Sequence, residues 1–337
     1  MGDKMDNTSV EQNENLKRIA YRKQLVVDAQ DEDELRALMK PNVARFNVYL
    51  GLHTLVWLLA AAGIFYFDHW AWLALCVIVL GNQLHGFTIL QHECGHRNAY
   101  RHDGWNRFIG CALAWFIIMP YTTFKECHRR HHRYLGDPEH DPDEWNYTGG
   151  RARWIPVRIA TFVPRFIFMS LTRYTQDVRN KVITELTFNL VTWAALIGIS
   201  LYMDMLNEFL LIFALPLLLL AAVINPLSRG YEHWPLARID EKDRDSRLDI
   251  AKTTISVTHP FISWIWANIN YHVEHHVYPG VPFYNLPRVA KLMEKRRYLR
   301  HRHLLQDIFT KTDCGLASQS ACSASASLHE VDHAKSL

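Results

Sequence analysis

The placement of the basic residues constrains the fold of this chain more than any other feature of its sequence. All 37 Lys and Arg side chains fall within residues 1–45, 92–181 and 226–337, and none falls within 46–91 or 182–225. Soluble helices rarely run for twenty residues without a charged, solvated face. The two stretches without basic residues are therefore predicted to lie in a membrane, and a soluble bundle of buried helices is the alternative.

Each of these stretches can hold two apolar runs separated by a short acidic break. The runs are 46–67, 70 to about 91, 182–203 and 208–225. About 20 helical residues cross the roughly 30 Å core of a bilayer, so we predict four spans arranged as two hairpins. This arrangement puts every basic residue on one face, which the positive-inside rule makes cytoplasmic. The sequence thus predicts a multi-pass, all-α integral membrane protein with both termini in the cytoplasm.

The remaining segments divide the chain further. Residues 16–39 mix apolar and charged positions as an amphipathic helix does, and we expect 1–45 to be a cytosolic N-terminal segment before a membrane domain at 46–311. Residues 108–121 are apolar but short, which favours a buried or re-entrant helix. Aromatic and basic residues alternate through 151–173, a pattern typical of a helix in the headgroup layer and not of nucleic acid binding here. The Ser- and Ala-rich tail 312–337 is expected to be disordered.

Histidines occur in three short motifs, each in a segment that follows one of the predicted hairpins. The chain has 19 histidines. On a helix, spacings of three and four residues bring side chains to one face, so each motif can direct imidazoles at one point. Neutral imidazole suits iron, copper, nickel or zinc, whereas calcium and magnesium prefer oxygen. One such motif alone would suggest solvated surface histidines, but three on one predicted side favour a metal site. The motif histidines are His92, His96, His128, His131, His132, His272, His275 and His276.

The first motif also reads His92-Glu93-x-x-His96, the signature of zinc metalloproteases, in which Glu93 would be the general base. A membrane zinc protease is therefore a second hypothesis. A catalytic zinc needs only three protein ligands and a water. Two further motifs would then have no role, whereas eight imidazoles suit two metal ions.

At these residues the chain resembles the membrane fatty acid desaturase–hydroxylase superfamily, the integral-membrane histidine-box di-iron oxygenases. The resemblance runs from about 81 to 297. It includes the His-His-Arg-Tyr sequence at 131–134, which leads into the acidic run 137–143. It also includes the long stretch 270–287 around the third motif. The resemblance implies four transmembrane helices under a cytosolic helical cap that holds two iron ions (Fe2+/Fe3+), with O2 as co-substrate.

The resemblance also implies a ninth histidine ligand after the last span, and His233 stands at that position. Some relatives place a water-bridging Asn shortly before this histidine, where this chain has Arg229. Ligating histidines usually donate their second ring N–H to a carboxylate or carbonyl. Candidates to accept that bond, or to pack near the site, are Asp137, Asp141, Asp143, Glu93, Glu274 and His85. A solvated acidic loop is the alternative for the carboxylates.

The other histidines are not expected to bind metal. Residues that lack a surrounding motif are expected to be surface residues or neighbours of the ligands, and His53 and His69 lie within the first predicted hairpin, away from the metals. The isolated ones are His140, His259, His301 and His303.

Taken together, these features predict an O2-dependent di-iron oxidoreductase that desaturates a long-chain lipid. Hydroxylation of a carotenoid ring, acyl chain or alkane, and oxidative decarboxylation of a fatty acid, are alternatives within the same family. A non-catalytic metal-binding membrane protein is a further alternative. Each of these would contact membrane lipids.

Electrons are expected from a separate carrier, ferredoxin-like or cytochrome b5-like. The chain has no Rossmann glycine fingerprint, cysteine cluster or fused heme motif. A basic stretch could dock an acidic carrier, a lipid phosphate or a substrate headgroup, or could simply be a solvated face. It consists of Lys291, Lys295, Arg296, Arg297, Arg300 and Arg302.

Overall fold

The computed structural model describes residues 27, 29–135, 137, 139–143, 161–229, 232–233, 263 and 265–294. Every regular element within these ranges is helical. The helices are α1 (Glu32–Leu38), α2 (Val43–Tyr66), α3 (Trp70–Gly95), α4 (Asp103–Phe116), α5 (Tyr121–Tyr134), α6 (Phe162–Thr172), α7 (Gln176–Tyr202), α8 (Leu206–Arg229), α9 (His272–Val277) and α10 (Leu286–Glu294). Short 3-10 turns cover Ala29–Asp31 and Phe283–Asn285.

Four of these helices are long and apolar enough to cross a membrane. They are α2, α3, α7 and α8, with 24 to 27 residues each. The number of predicted spans is confirmed on length and composition, although several bounds differ by up to six residues, two of them at the ends of α3 and α7. Helix α3 continues past residue 91 to Gly95, and α7 begins at Gln176, six residues before the predicted run. The first histidine motif therefore lies on the last turn of a span. The two-hairpin arrangement and the cytosolic cap stay predictions.

Local capping and one close approach position α2 and α3. The Asn42 side chain accepts a hydrogen bond from Arg45 N at 2.9 Å, which satisfies one of the free N–H groups at the start of α2. His69 Nδ1 accepts in the same way from Ala71 N at 3.3 Å at the start of α3. A Cβ atom at Gly63 would lie only 2.8 Å from Cys76 Sγ. Glycine at this position therefore lets the two helices pack in direct contact.

The apolar run 108–121 is broken by a sharp bend. Helices α4 and α5 meet at 103°, which fits a broken span or a re-entrant loop. Ile118 has a φ of 55° at the bend, an unfavourable conformation for a β-branched residue. Pro120 then precedes the first residue of α5. The bend agrees with the re-entrant interpretation of this run and aims α5 away from the axis of α4.

Helix α8 contains two π-helical segments, Leu210–Ala214 and Leu220–Ile224. Pro216 has no N–H to bond the carbonyl of Ile212, and Pro226 likewise cannot bond Ala222. Both of these carbonyls lie in the π-helical segments, where hydrogen bonds run between residues five apart instead of four. Proline thus accounts for the irregular course of the span that leads to His233.

The N-terminal segment packs on the chain that follows the third histidine motif. Asn42 N donates to the Tyr284 hydroxyl at 2.7 Å, and Asn285 Nδ2 donates to the Leu38 carbonyl at 2.8 Å. An ion pair of 2.8 Å also joins Arg288 to Glu34. Helix α1 and the start of α2 therefore hold residues 284–288 in place.

Parts of three predictions lie outside the described residues. Within the predicted headgroup helix at 151–173, α6 buries Phe162 and Phe166 in the core and exposes Phe168. Residues 151–160 of that prediction are not described, and neither are 1–26 nor 312–337. The domain bounds and the disordered tail stay predictions.

Candidate metal centre

Four segments carry the candidate ligand histidines to one place. His92 lies on the last turn of α3, and His96 follows directly after it. Helix α5 carries the second motif, α9 carries the third, and His233 follows the end of α8. Most of these side chains are buried, and none is fully solvated. The helical spacing places the histidines of each motif on neighbouring faces, as the sequence predicts.

Five histidines from all three motifs form the first cluster. Their Nε2 atoms are linked in a series: 3.1 Å between His92 and His275, 3.0 Å between His275 and His132, 2.9 Å between His132 and His128, and 3.0 Å between His128 and His96. All five ligand atoms lie within 4.8 Å of one another. The five rings thus surround one point.

The other four histidines form a second cluster beside the first. The Nε2 of His233 lies 3.1 Å from that of His131 and 2.8 Å from that of His272, and His272 lies 3.1 Å from His276. The rings of His132 and His276 stack at 4.2 Å between centroids, which joins the two clusters. All nine histidines singled out in the sequence therefore lie in two adjacent groups.

The geometry of both clusters fits metal ligation. At a metal–nitrogen distance of about 2.1 Å, two ligand atoms at right angles about the ion lie about 3.0 Å apart, and the linked Nε2 atoms are 2.8–3.1 Å apart. Metal binding also requires neutral imidazole. Burial lowers the pKa of His128, His132, His275 and His276 well below the usual value, and it lowers the pKa of His96 to about 3. The rings are therefore neutral and their lone pairs can converge.

Buried carboxylates orient His131. Its Nδ1 lies 2.9 Å from Asp141 Oδ1 and 4.0 Å from Asp143 Oδ2, and Asp143 accepts a 3.0 Å bond from Arg229. Burial lowers the pKa of His131, but the charges of Asp141 and Asp143 outweigh it and raise the pKa. With Nδ1–H directed at Asp141, the Nε2 lone pair of His131 faces His233. The two aspartates singled out in the sequence thus lie beside a candidate ligand.

Glu93 links the first motif to the segment after the third. Its Oε1 lies 3.1 Å from His92 Nδ1, and its Oε2 accepts from Phe283 N at 3.0 Å and from Asn98 Nδ2 at 3.2 Å. Asn98 also donates to the Pro279 carbonyl at 2.9 Å. One carboxylate oxygen of Glu93 therefore orients the His92 ring, and the other binds the chain at Phe283 and the Asn98 side chain. Sequence reasoning missed Asn98, which has no motif of its own.

Comparison with known proteins agrees with this geometry. A family model for fatty acid desaturases matches residues 68–309, most of the chain and all nine clustered histidines. The chain belongs to the fatty acid desaturase family. It is 28% identical to a sphingolipid delta(4)-desaturase of Mus musculus over 77% of both chains. It is 22% identical to a dihydrorhizobitoxine desaturase of Bradyrhizobium elkanii, over 66% of this chain and 68% of the relative. A probable fatty acid desaturase of Sorghum bicolor is 25% identical, over 66% and 64%.

The family establishes the general activity. The chain is a desaturase-type oxidoreductase of lipid metabolism with membrane helices and histidine clusters that are compatible with a metal site. The identity of the metal, and the role of each histidine as a ligand, stay predictions.

One further group beside the clusters of this desaturase was missed in the sequence. Glu232 Oε2 lies 3.6 Å from His272 Nε2, and burial raises the pKa of Glu232 to about 8. Its position next to His233 was the only signal that could have revealed it. A carboxyl group in this place can act as a proton carrier or as an oxygen ligand of the second cluster.

Four other residues considered in the sequence analysis belong to neither histidine cluster. His85 is buried on α3 beside the Trp266 ring, 5.6 Å between centroids, and belongs to neither cluster. Asp137 accepts from Glu139 N and His140 N at 2.8 and 3.0 Å, so it orders its own loop. His53 pairs with Gln83 at 2.6 Å. Glu274 is fully buried on α9 between the motif histidines.

The remaining predictions concern three histidines and the basic stretch, most of which lie outside the described residues. His259, His301 and His303 are not described, and the same holds for the basic stretch except Lys291, which is exposed on α10. A docking role for that stretch stays a prediction.

Proposed function

We propose that this chain is an O2-dependent di-iron desaturase that forms a double bond in the acyl chain of a membrane lipid. The observation that carries the proposal is the convergence of nine Nε2 atoms in two adjacent clusters of five and four. Two clusters call for two metal ions, and the membership of the family calls for oxidative chemistry on a lipid.

Iron fits the clusters better than zinc does. Structural zinc has four ligands and catalytic zinc has three protein ligands and a water, whereas the first cluster alone offers five imidazoles. Imidazole is a good ligand for iron. When bound, the two iron ions would supply the O2-dependent oxidation that removes hydrogen from an unactivated methylene, which side chains cannot do alone.

The chain's own residues orient the ligands and keep water out. Asp141 fixes the tautomer of His131, and Glu93 does so for His92. The carboxylates of Asp141 and Asp143 have no exposed side-chain surface. A dry, oriented ligand set limits wasteful reaction of the oxidant with solvent.

The contacts of Glu93 count against the zinc-protease hypothesis. A hydrolytic base needs a carboxylate oxygen that faces the attacking water. Both oxygens of Glu93 are instead engaged by His92, Phe283 and Asn98. The signature at 92–96 therefore serves to position a ligand.

Desaturation is favoured over hydroxylation and decarboxylation because the relatives reported above all carry the name of a desaturase. The relative from Mus musculus is named for a sphingolipid and that from Sorghum bicolor for a fatty acid. We therefore propose a fatty acyl or sphingolipid substrate in the membrane. A separate ferredoxin-like or cytochrome b5-like carrier supplies the electrons.

The test is mass spectrometry of lipids from a host that expresses the chain with and without oxygen, joined to metal analysis of the purified protein. We expect a lipid that has lost two hydrogens, only with oxygen, and iron in the protein. A product that has gained one oxygen would overturn desaturation in favour of hydroxylation. Zinc without iron, with turnover that needs no oxygen, would overturn the di-iron proposal altogether.

A further inference from the structure

A groove on the membrane side of the fold lies between α4 and α7, apart from the metal centre. It has a volume of about 610 Å³, within the range of small-molecule sites. Its lining is almost wholly apolar and includes Phe108, Ala112 and Trp115 from α4 and Phe188 from α7. Phe108 and Phe188 are more than half exposed, so the groove opens toward the outer surface of a candidate span.

Thr184 of α7 lines this groove and donates to the Asn180 carbonyl at 2.9 Å. Three further polar residues follow one face of α7 along the groove at helical spacing: Glu185, Asn189 and Thr192. Two of them are satisfied within the protein. Glu185 accepts from Thr122 N at 2.8 Å and from Arg107 at 2.8 Å, and Thr192 accepts from Trp115 Nε1 at 2.7 Å.

Asn189 differs from its two neighbours. It is 96% buried by the rest of the chain, with 4% of its surface exposed. Its backbone carbonyl accepts from Thr192, but among the described residues its side-chain amide makes no hydrogen bond. An amide in an apolar environment is unfavourable unless a partner is present. Because this amide lines the groove, the partner is expected to come from whatever fills the groove.

The lining indicates the chemistry of the occupant. A membrane helix is about 10 Å across and packs through small residues, whereas this groove is lined by large rings of Phe108, Trp115 and Phe188. At the depth of a span the surroundings are acyl chains. A single lipid chain therefore fits where a protein helix does not.

The order of groups along α7 places the lipid. The charged residues Arg179 and Lys181 begin the helix, and Glu185 and Arg107 form an ion pair at 2.8 Å beside the groove. Asn189 lies one turn deeper, about 6 Å along the helix. A lipid with its headgroup near Arg107 would need a hydrogen-bonding group just below that headgroup to reach Asn189.

We propose that the groove is a binding site for a membrane lipid that carries an amide or hydroxyl group between headgroup and chain, as ceramide-type lipids do. The amide or hydroxyl group bonds Asn189, and the chain lies over Ala112 and Phe188. Tyr121, which is 2% exposed and whose ring packs on Gly110, also lines the groove, and none of the described lining residues is a histidine. The site is thus separate from the histidine clusters, and it binds lipid whether or not the metal centre is active.

The test uses the full chain in phosphatidylcholine vesicles with trace photoactivatable lipids. One probe is a ceramide with a diazirine in its acyl chain, and the other is a dialkyl phosphocholine with the same chain but no amide or hydroxyl group. Mass spectrometry then maps labelled residues. We expect the ceramide probe to label 108–115 and 184–192 in preference to other apolar surfaces.

Two variants and a control make the test decisive. Asn189→Leu should reduce ceramide labelling of these peptides about fivefold, the factor that one hydrogen bond of about 1 kcal/mol gives, and leave the phosphocholine probe unchanged. Asn207→Leu, at an exposed Asn outside the groove, should change neither. Ala112→Trp, at an exposed position, should fill the groove and exclude both probes.

Several results would overturn the proposal. One is that the Asn189→Leu chain and the unaltered chain are labelled equally by the ceramide probe, as they are by the phosphocholine probe. Another is that the ceramide probe labels all exposed faces of α2 and α7. If Asn189→Leu does not fold, the Ala112→Trp variant decides, because unchanged labelling of a filled groove contradicts the site. Since each readout is lipid binding and not turnover, the outcome is independent of the proposed di-iron chemistry.

Discussion

At the scale of single residues, burial gives the clustered histidines the neutral form that metal ligation requires. Nine imidazoles that point their Nε2 atoms at two shared points would repel or leave lone pairs unsatisfied without a cation between them. Burial lowers the pKa of most of them, which keeps their rings neutral. The exception is His131, whose second nitrogen meets Asp141.

Loss of one ligand should remove activity. His132→Ala and His275→Ala each open the first cluster, where both Nε2 atoms lie 2.9–3.1 Å from two neighbours. We expect no measurable turnover and less bound iron, measured by metal analysis of the purified variant. His102→Ala, at an exposed histidine whose side chain makes no cap hydrogen bond, is the matched control. Full activity of an iron-replete His132→Ala protein would rule out the ligand assignment.

Asp141 should matter through His131. Asp141→Asn keeps the shape but removes the charge that accepts the His131 Nδ1–H at 2.9 Å. Loss of such a partner typically costs about 10–100-fold in metal affinity or activity, which iron titration and turnover would show. Asp103→Asn, at an exposed ion pair with Arg97, should have no such effect. An Asp141→Asn protein with unaltered iron affinity would contradict the orienting role.

At the scale of helices, the centre depends on elements that are far apart in the chain. Helix α9 supplies three histidines but has only six residues, which is too short to be stable alone. The chain after it is held by Glu93 and Asn98 from the α3 end and by the N-terminal segment through Tyr284 and Asn285. These contacts compensate for the low intrinsic stability of α9.

Removal of the Tyr284 hydroxyl should therefore destabilise the third motif. Tyr284→Phe loses the 2.7 Å bond from Asn42 N, worth about 1 kcal/mol. We expect the melting temperature of the purified protein to fall by about 2–4 °C, with faster loss of iron on heating. Tyr202→Phe, at a residue 89% exposed, should leave the melting temperature unchanged. Equal melting temperatures for the two variants would show that the bond contributes nothing.

At the scale of the whole molecule, the net charge of +3 and the 49% hydrophobic content suggest an ordinary soluble protein, yet both are averages over very uneven segments. Only 17–56% of the most apolar stretch of each span is buried inside the protein. The remainder is exposed apolar surface of the size that a bilayer must cover. The histidine clusters lie where one such span, α3, ends.

The predicted orientation can be tested with single cysteines. In a background where Cys111, Cys314 and Cys322 are serine, Lys291→Cys on α10 should react with a membrane-impermeant maleimide only after cells are permeabilised. Tyr202→Cys, at the exposed end of α7, should react in intact cells. The physical reason is the positive-inside rule applied to 37 basic residues. The reverse labelling pattern would place the histidines outside.

The sequence by itself determined the four spans, because long apolar helices have few alternatives to a bilayer. It also determined eight of the nine candidate ligands, because all three motifs hold histidines four residues apart, whereas His233 was implied only by the family resemblance. Only the tertiary structure decided how nine histidines divide. The second motif gives His128 and His132 to the first cluster and His131 to the second. The third motif gives His275 to the first cluster, and His272 and His276 to the second. Sequence spacing determines which side chains lie on the same face of one helix. The division of the histidines between the two clusters depends on how α3, α5 and α9 pack against one another. The same packing brings Glu232 beside His272 and Asn98 beside Glu93. Neither residue belongs to a sequence motif that predicts these contacts.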